Sequence, residues 1–379
     1  MSPTDSRPEP AGRVTTVEIF FDVVFVFTVT QLTGVLDRDL TWAGLGRVLL
    51  VLGLLWYPYT GYAWLTNQLP PRRPAQKISL FAGMAGFLLT SVAIPAVFTD
   101  TGSLFAVGFL VLTVVHLAMF GRSQARLAAL RLAPYNLGAV LLIALAAFVT
   151  GPAGYALWVA AALVQSALPY VTPGHSWIRV AGSYEVAAGH LVERHGLLVI
   201  VALGESVVAI GAGVDVHHLT PATTAAVVMA LALPAALWWT YFTDTRDAER
   251  ILDAADPRAR THLAARTYVL PHYLLLVGVV VAATGIHATV AHPDAPAGSA
   301  AALALAGGVA LFLIGTGAAR LGLGLGLTAS RAAGAAAIFA TVPLGARTAA
   351  GVQLAAVILL LTAMLLAGPR HPASRTATA

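Results

Sequence analysis

The chain is 379 residues long, 58% hydrophobic and only 10% charged, with a mean hydropathy of +0.80. A water-soluble domain carries charge on about a quarter of its residues, because its surface must be solvated; at this length and composition only lipid can serve as the outer solvent. The net charge of +5 does not point to nucleic acid, since the arginines are dispersed between apolar runs, and the absence of Cys excludes disulfides, thiolate metal sites and Cys nucleophiles.

Met1 to Thr16 is polar, contains Pro and carries Arg7 and Arg13. No short apolar stretch with a small-residue cleavage site precedes the first long apolar run, so that run reads as a retained helix. A spanning helix takes roughly 20 mostly apolar residues and satisfies its backbone internally. Segments that qualify lie near 17–36, 42–66, 78–98, 102–120, 134–150, 153–171, 190–212, 221–243, 268–290, 298–318, 330–346 and 349–367. They predict an all-α polytopic transmembrane helix bundle of about twelve helices; the Gly/Ala-rich stretch from Leu321 to Ala340 blurs the last two. All of 17–367 forms one transmembrane domain, with a polar tail at 1–16 and another at 368–379.

Loop arginines orient the bundle. Counted from a cytoplasmic N-terminus, the inner segments hold Arg72, Arg73, Lys77, Arg122, Arg126, Arg131, Arg179, Arg246, Arg250, Arg258, Arg260, Arg266, Arg320 and Arg331. The outer loops are short: Asp37-Arg38-Asp39, Asp100, Gly151-Pro152, Asp215-Val216-His217-His218 and His292-Pro293-Asp294. Of the loop arginines only Arg38 and Arg347 fall outside, a positive-inside pattern that predicts both termini in the cytoplasm. The largest soluble part expected is an inner loop around 244–266.

An internal repeat is also legible. Leu55-Trp56-Tyr57-Pro58-Tyr59 in the second span corresponds to Leu237-Trp238-Trp239-Thr240-Tyr241 in the eighth, and each follows a span that carries Val-Glu, Val17-Glu18 and Val192-Glu193. Halves at 17–171 and 183–367, in a 6+6 parallel pseudo-repeat, would share one orientation, because six crossings return the chain to its starting side. Chance likeness between apolar sequences is the plain alternative.

Charged residues inside the apolar runs are the candidate site. Glu18 and Asp22 lie four apart in the first span, on one helical face and about 6 Å apart along the axis. A carboxylate at depth faces a cavity or a partner, and two this close share a proton or hold a cation. Capping and interfacial pairing with Arg13 would be the structural alternative. The second cluster runs from Ser183-Tyr184-Glu185 through His190, Glu193, Arg194 and His195 to Glu205-Ser206. His190, Arg194, Val201 and Glu205 share a face within about 60°, yet Arg194 and Glu205 stand roughly 16 Å apart along it. Each therefore needs a partner from another helix, and Glu205, deep in its run, is the leading candidate for a functional acid. His190 and His195 point about 140° apart and form no H-E-x-x-H pattern, so the residues point to no metal. Trp238, Trp239 and Tyr241 read either as an interfacial aromatic belt or as part of a binding site. His272 stands just inside the ninth span, where it could titrate or be hydrogen-bonded.

ATP-binding G-x-x-x-x-G-K-[ST] loops, G-x-S-x-G elbows and arginine ladders are absent from the sequence. Val17-Glu18-Ile19-Phe20-Phe21-Asp22-Val23-Val24-Phe25-Val26-Phe27 with Thr30-Gln31-Leu32 resembles the opening motif of the bacterial low temperature requirement A (LtrA) family. Glu193-Arg194-His195-Gly196-Leu197-Leu198-Val199-Ile200 with Leu203-Gly204-Glu205-Ser206 is similar to its second signature, and Trp238-Trp239-x-Tyr241-Phe242 to a third. The resemblance implies a polytopic protein of the bacterial cytoplasmic (inner) membrane whose family pattern includes Glu18, Asp22, Glu193, Arg194 and Glu205. Val23-Val24 departs from the family's Leu-Val, a harmless change.

Three function classes fit. One is a proton- or cation-coupled transporter of a small solute, with Asp22 and Glu205 carrying the proton or cation and Arg194 as counter-charge. Glu18, His190, Glu193, Trp238, Trp239, Tyr241 and His272 would line its binding site. Another is an intramembrane enzyme using a protonated carboxylic acid on a lipid or isoprenoid substrate. The third is a structural or assembly protein with its acids in buried pairs. Expected partners are membrane lipids and a small-molecule or lipid substrate; nothing indicates nucleic acid or a cofactor, and a homo-oligomer fits equally well.

Overall fold

The computed structural model describes residues 13–123, 126–172, 186–217, 219–326 and 329–367. Arg7, Arg179, Ser183-Tyr184-Glu185, His218 and the 368–379 tail lie outside the described residues. The described chain is helical throughout and contains no strand. Its elements are α1 (Thr16–Arg38), α2 (Trp42–Gln68), α3 (Pro74–Ala93), α4 (Gly102–Phe120), α5 (Arg126–Ala146), α6 (Gly151–Ser166) and α7 (Leu168–Val171), then α8 (Ala188–Gly213), α9 (Pro221–Phe242), α10 (Thr245–Ala254) and α11 (Pro257–Tyr268). The chain ends with α12 (Leu270–Ala291), α13 (Gly298–Gly322), α14 (Ala329–Phe339), α15 (Val342–Arg347) and α16 (Ala350–Ala367).

Long apolar runs supply the helices, and short polar caps fix where they begin. Thr41 accepts from the Gly44 N–H at 3.1 Å and Thr220 from the Thr223 N–H at 3.0 Å, each relieving one orphan donor of a first turn. Pro74, Pro221 and Pro257 open α3, α9 and α11, where a missing N–H costs nothing. Among the described residues nine helices are long and apolar enough to cross a bilayer. They match nine of the twelve expected spans. Of the other three, α5 carries the apolar stretch Leu130–Ala146 among the described residues, α6 stops at Ser166, and 330–346 is split into α14 and α15.

The expected inner loop at 244–266 is instead two helices, α10 and α11. Its charge-rich sequence reads as loop, but Ala248 and Leu252, four apart, bury one stripe while Arg250 faces out. A helix needs only one such stripe to pack. Asp256 then caps α11, accepting from the Arg258 and Ala259 N–H groups at 3.1 Å each.

Packing partners recur in the same order in the two halves. In the first, α1 packs on α2 and α3, α3 on α4, α4 on α5, α5 on α6, and α2 on α4 and α6. In the second, α8 packs on α9 and α12, α12 on α13, α13 on α14 and α15, these on α16, and α9 on α13 and α16. Close approach uses glycine in both: a Cβ on Gly86 would stand 2.9 Å from the Gly108 carbonyl oxygen, and one on Gly278 2.7 Å from that of Gly308. Two hydrophobic clusters fill the interior, one mainly in each half. Val92, Val107, Leu141, Val228 and Leu359 stay exposed, as a lipid-facing exterior allows.

The join between the halves is α1 against α8. Hydrogen-bonded pairs across it keep a nearly constant separation in sequence, 179, 172, 176, 172 and 175 residues from Val14 to Thr30. A constant difference means parallel helices. Their first turns share one end with Arg13, Arg246 and Arg260; the other end carries Asp37, Asp39 and Asp215. Arg47 adds a cation to that acidic end, paired with Asp39 at 2.9 Å and 5.9 Å from the Tyr155 ring centroid.

Candidate functional site: a buried charge cluster at the helix seam

Glu18 is the third residue of α1, and its two oxygens have different tasks. Oε2 accepts from the Thr15 N–H at 2.9 Å and the Thr15 hydroxyl at 2.8 Å, capping the helix as a capping-box acid does. Oε1 turns inward and accepts from Arg194 Nη1 at 2.9 Å and His190 Nε2 at 3.0 Å. One turn deeper, Asp22 Oδ1 accepts from Arg194 Nη2 at 3.1 Å and from the Tyr59 hydroxyl at 2.9 Å. Arg194 Nη1 also donates to Thr66 Oγ1 at 2.5 Å. Glu18, Asp22 and Arg194 are all 0% exposed.

Three helices build this cluster. The i, i+4 spacing of Glu18 and Asp22 on α1 meets the i, i+4 spacing of His190 and Arg194 on α8. From the third side α2 brings Tyr59, Thr66 and Asn67. The guanidinium carbon lies 5.5 Å from the Phe21 ring centroid and 5.8 Å from that of Tyr59, so aromatic faces screen the cation where carboxylates do not.

Asn67 orients His190. The Ala187 N–H donates to Asn67 Oδ1 at 3.0 Å, which fixes the amide; Asn67 Nδ2 then donates to the Ala187 carbonyl at 2.9 Å and to His190 Nδ1 at 3.2 Å. With Nδ1 accepting, Nε2 carries the proton given to Glu18. One guanidinium stands against two carboxylates. With both carboxylates ionised and the imidazole in this uncharged tautomer, the cluster holds one negative charge in excess. Asp22 Oδ2 and Arg194 Nε are buried with no hydrogen-bond partner among the described residues, so the cluster has an acceptor in reserve.

Glu205 is not part of it. It lies eleven residues along α8, about 16 Å nearer the acidic end, where the Thr30 hydroxyl donates to Oε2 at 2.6 Å. Buried Phe25, Val26 and Val29 on α1 and Leu198 and Ala202 on α8 lie between the two sites. The seam is thus polar, apolar and polar again.

Other candidates are placed separately. Glu193 is exposed, accepts from the Val14 N–H at 3.2 Å, and lines an open groove of about 430 Å³ with Arg13, Arg246, Glu249, Leu197 and Phe242. Trp238 and Trp239 are 42% and 64% exposed on α9. Tyr241 and His272 pair at 2.9 Å, and the buried His195 ring stands between Leu191, Tyr268 and His272.

Sequence reasoning missed the α2 partners Tyr59, Thr66 and Asn67, and also a cavity of about 50 Å³ on the opposite face of α2. Tyr57, Thr60, Trp64, His116, Asn136 and Gln165 line it. Buried Asn136 Oδ1 and Gln165 Oε1 have no hydrogen-bond partner among the described residues. Lone amides inside apolar spans were the available signal.

The model of the bacterial low temperature requirement A protein (LtrA) family matches residues 13–366. The chain is also similar to an uncharacterized protein of Rhizobium meliloti (strain 1021), 28% identical over 316 residues that cover 79% of this chain and 75% of the relative. The matched span contains every residue of the cluster. With nine helices of membrane-crossing length among its described residues and a family match over nearly its whole length, this multi-pass membrane protein belongs to the LtrA family.

Proposed function

We propose that the protein is a proton- or cation-coupled transporter of a small solute in the bacterial cytoplasmic membrane, with its basic end facing the cytoplasm. The carrying observation is the excess of one carboxylate over the Arg194 guanidinium, with Asp22 Oδ2 unpartnered, at the seam of two similarly packed halves. A buried charge left uncompensated costs several kcal/mol, so a proton or cation that binds Asp22 lowers the energy of the cluster. Alternating access between two parallel six-helix repeats uses such a seam.

Helix α2 supports the coupling. Tyr59 and Thr66 touch the charge cluster, whereas Thr60 and Trp64, on the other face, line the 50 Å³ cavity. That volume holds on the order of four waters, enough for a small polar solute or one end of a larger one. Pro58 interrupts the hydrogen-bond ladder of α2 beside both.

Reconstituted protein under an imposed pH or sodium gradient, offered a panel of labelled small solutes, tests the reading. Uptake should collapse when the gradient is dissipated and in Asp22→Asn. Gradient-driven uptake that survives in Asp22→Asn would contradict it. The open groove at the basic end, with Leu197 and Phe242 beneath charged Arg13, Glu193 and Arg246, favours a second reading, an enzyme acting on lipid. Changed lipid products on expression would support that alternative.

A further inference from the structure

Asp244, which precedes α10, joins three helices in the second half. Arg320, in the last turn of α13, and Arg331, in the first turn of α14, both donate to its carboxylate; Arg331 does so at 2.6 Å and also reaches the Thr240 carbonyl at 3.1 Å. The side chains are nearly buried, 13% exposed for Asp244, 15% for Arg320 and 10% for Arg331. Two guanidiniums against one carboxylate leave one positive charge over, the reverse of the α1–α8 cluster.

A cavity of about 40 Å³ adjoins these residues, lined also by Thr267, His272 and Thr316. Two donors beside it are unused. Thr267 Oγ1, on a residue only 2% exposed, and Arg320 Nε have no hydrogen-bond partner among the described residues. Thr316 donates to the Leu313 carbonyl at 2.9 Å, so its hydroxyl proton is already engaged. His272 Nδ1 faces the Thr267 carbonyl and Nε2 the Tyr241 hydroxyl, so its ring nitrogens are occupied.

We propose that this cavity binds a compact monoanion, held by Arg320 Nε, the Thr267 hydroxyl and the unbalanced charge of the Arg320–Arg331 pair. Unpaired buried donors are costly, and an anion satisfies both while neutralising the excess guanidinium. The volume holds about three waters, which limits the ligand to the size of chloride or formate. The ligand is either a free inorganic ion or the carboxylate end of a larger solute. None of the residues that would hold the anion belongs to the proposed coupling cluster, and the site does not depend on it.

The test uses the purified full-length protein in detergent, with thermal unfolding followed as sodium chloride or sodium formate replaces sodium gluconate at constant ionic strength. A saturable rise in Tm with chloride assigns an inorganic ion, and one with formate alone assigns a carboxylate; both support the site. Thr267→Val, which keeps the shape and removes the hydroxyl, should raise the midpoint concentration by about tenfold to a hundredfold, since a hydrogen bond to a charged group is worth about 1.5–3 kcal/mol. Arg320→Gln should abolish saturation. Equal melting in all three salts, or a saturable effect undiminished in Thr267→Val, would overturn the proposal even where Arg320→Gln fails to fold.

Discussion

The Thr30 hydroxyl on α1 donates a 2.6 Å hydrogen bond to Glu205 on α8 across a sequence separation of 175 residues. Glu18 and Glu193 in the two Val-Glu motifs are separated by the same 175 residues (193 − 18). The offset that aligns the motifs in sequence is thus the offset that sets the two helices side by side. Parallel equivalent helices related by a two-fold axis along the membrane normal would give this relation.

Because the chain has no cysteine, cross-linking tests that register without background. Thr30→Cys with Glu205→Cys should cross-link in membranes with a short bifunctional thiol reagent. Thr30→Cys with Val192→Cys should not, since those positions stand about 20 Å apart along the seam. The reverse outcome would mean antiparallel or shifted helices.

Charge arithmetic orders the cluster variants. Arg194→Gln leaves two buried carboxylates without a cation and should destabilise by about 3–5 kcal/mol. Asp22→Asn leaves one carboxylate against one guanidinium and should be nearly neutral in detergent unfolding. The double variant should recover much of the loss. An Asp22→Asn protein less stable than Arg194→Gln would show that both carboxylates are needed as anions.

Asn67 holds three groups at once: the Ala187 N–H, the Ala187 carbonyl and His190 Nδ1. Asn67→Leu orphans all of them, at about 1–3 kcal/mol for each buried group. The loss should therefore exceed that of Tyr59→Phe, which removes one donor to Asp22. Comparing the unfolding midpoints of the two variants checks the order.

Neighbouring glycines on α13 should behave differently. A Cβ on Gly308 would stand 2.2 Å from the Ala282 backbone nitrogen, whereas one on Gly307 meets nothing within 4 Å. Gly308→Ala should force α12 and α13 apart and lower stability and yield. Gly307→Ala should be tolerated or slightly stabilising, because alanine is the better helix former.

Much of this was legible in the sequence for a simple reason: lipid makes apolar runs long and makes every charge within them conspicuous. Glu18, Asp22 and Arg194 stood out one by one. That Arg194 needed a partner from another helix followed from its rise along α8, but which helix supplied it is a tertiary fact. Tyr59, Thr66 and Asn67 went unread because a hydroxyl or amide within an aromatic-rich span looks like packing until its partner is seen. Glu205 shares the helical face of Arg194, but the rise along α8 separates the two by roughly 16 Å, and its partner from another helix is Thr30. Residues 244–266 misled through their charge, since two buried positions, Ala248 and Leu252, suffice to dock a helix.

The central claim, that the Glu18–Asp22–Arg194 cluster takes up a proton or cation through Asp22, is tested most directly by charge displacement on a solid-supported membrane. Proteoliposomes given a pH jump, and separately a sodium jump, should show a transient current for one of the two ions in the wild type. The current should vanish in Asp22→Asn and persist in Asp100→Asn, which alters an exposed acid far from the seam. A transient of unchanged size in Asp22→Asn, or none with either ion in the wild type, would contradict the account.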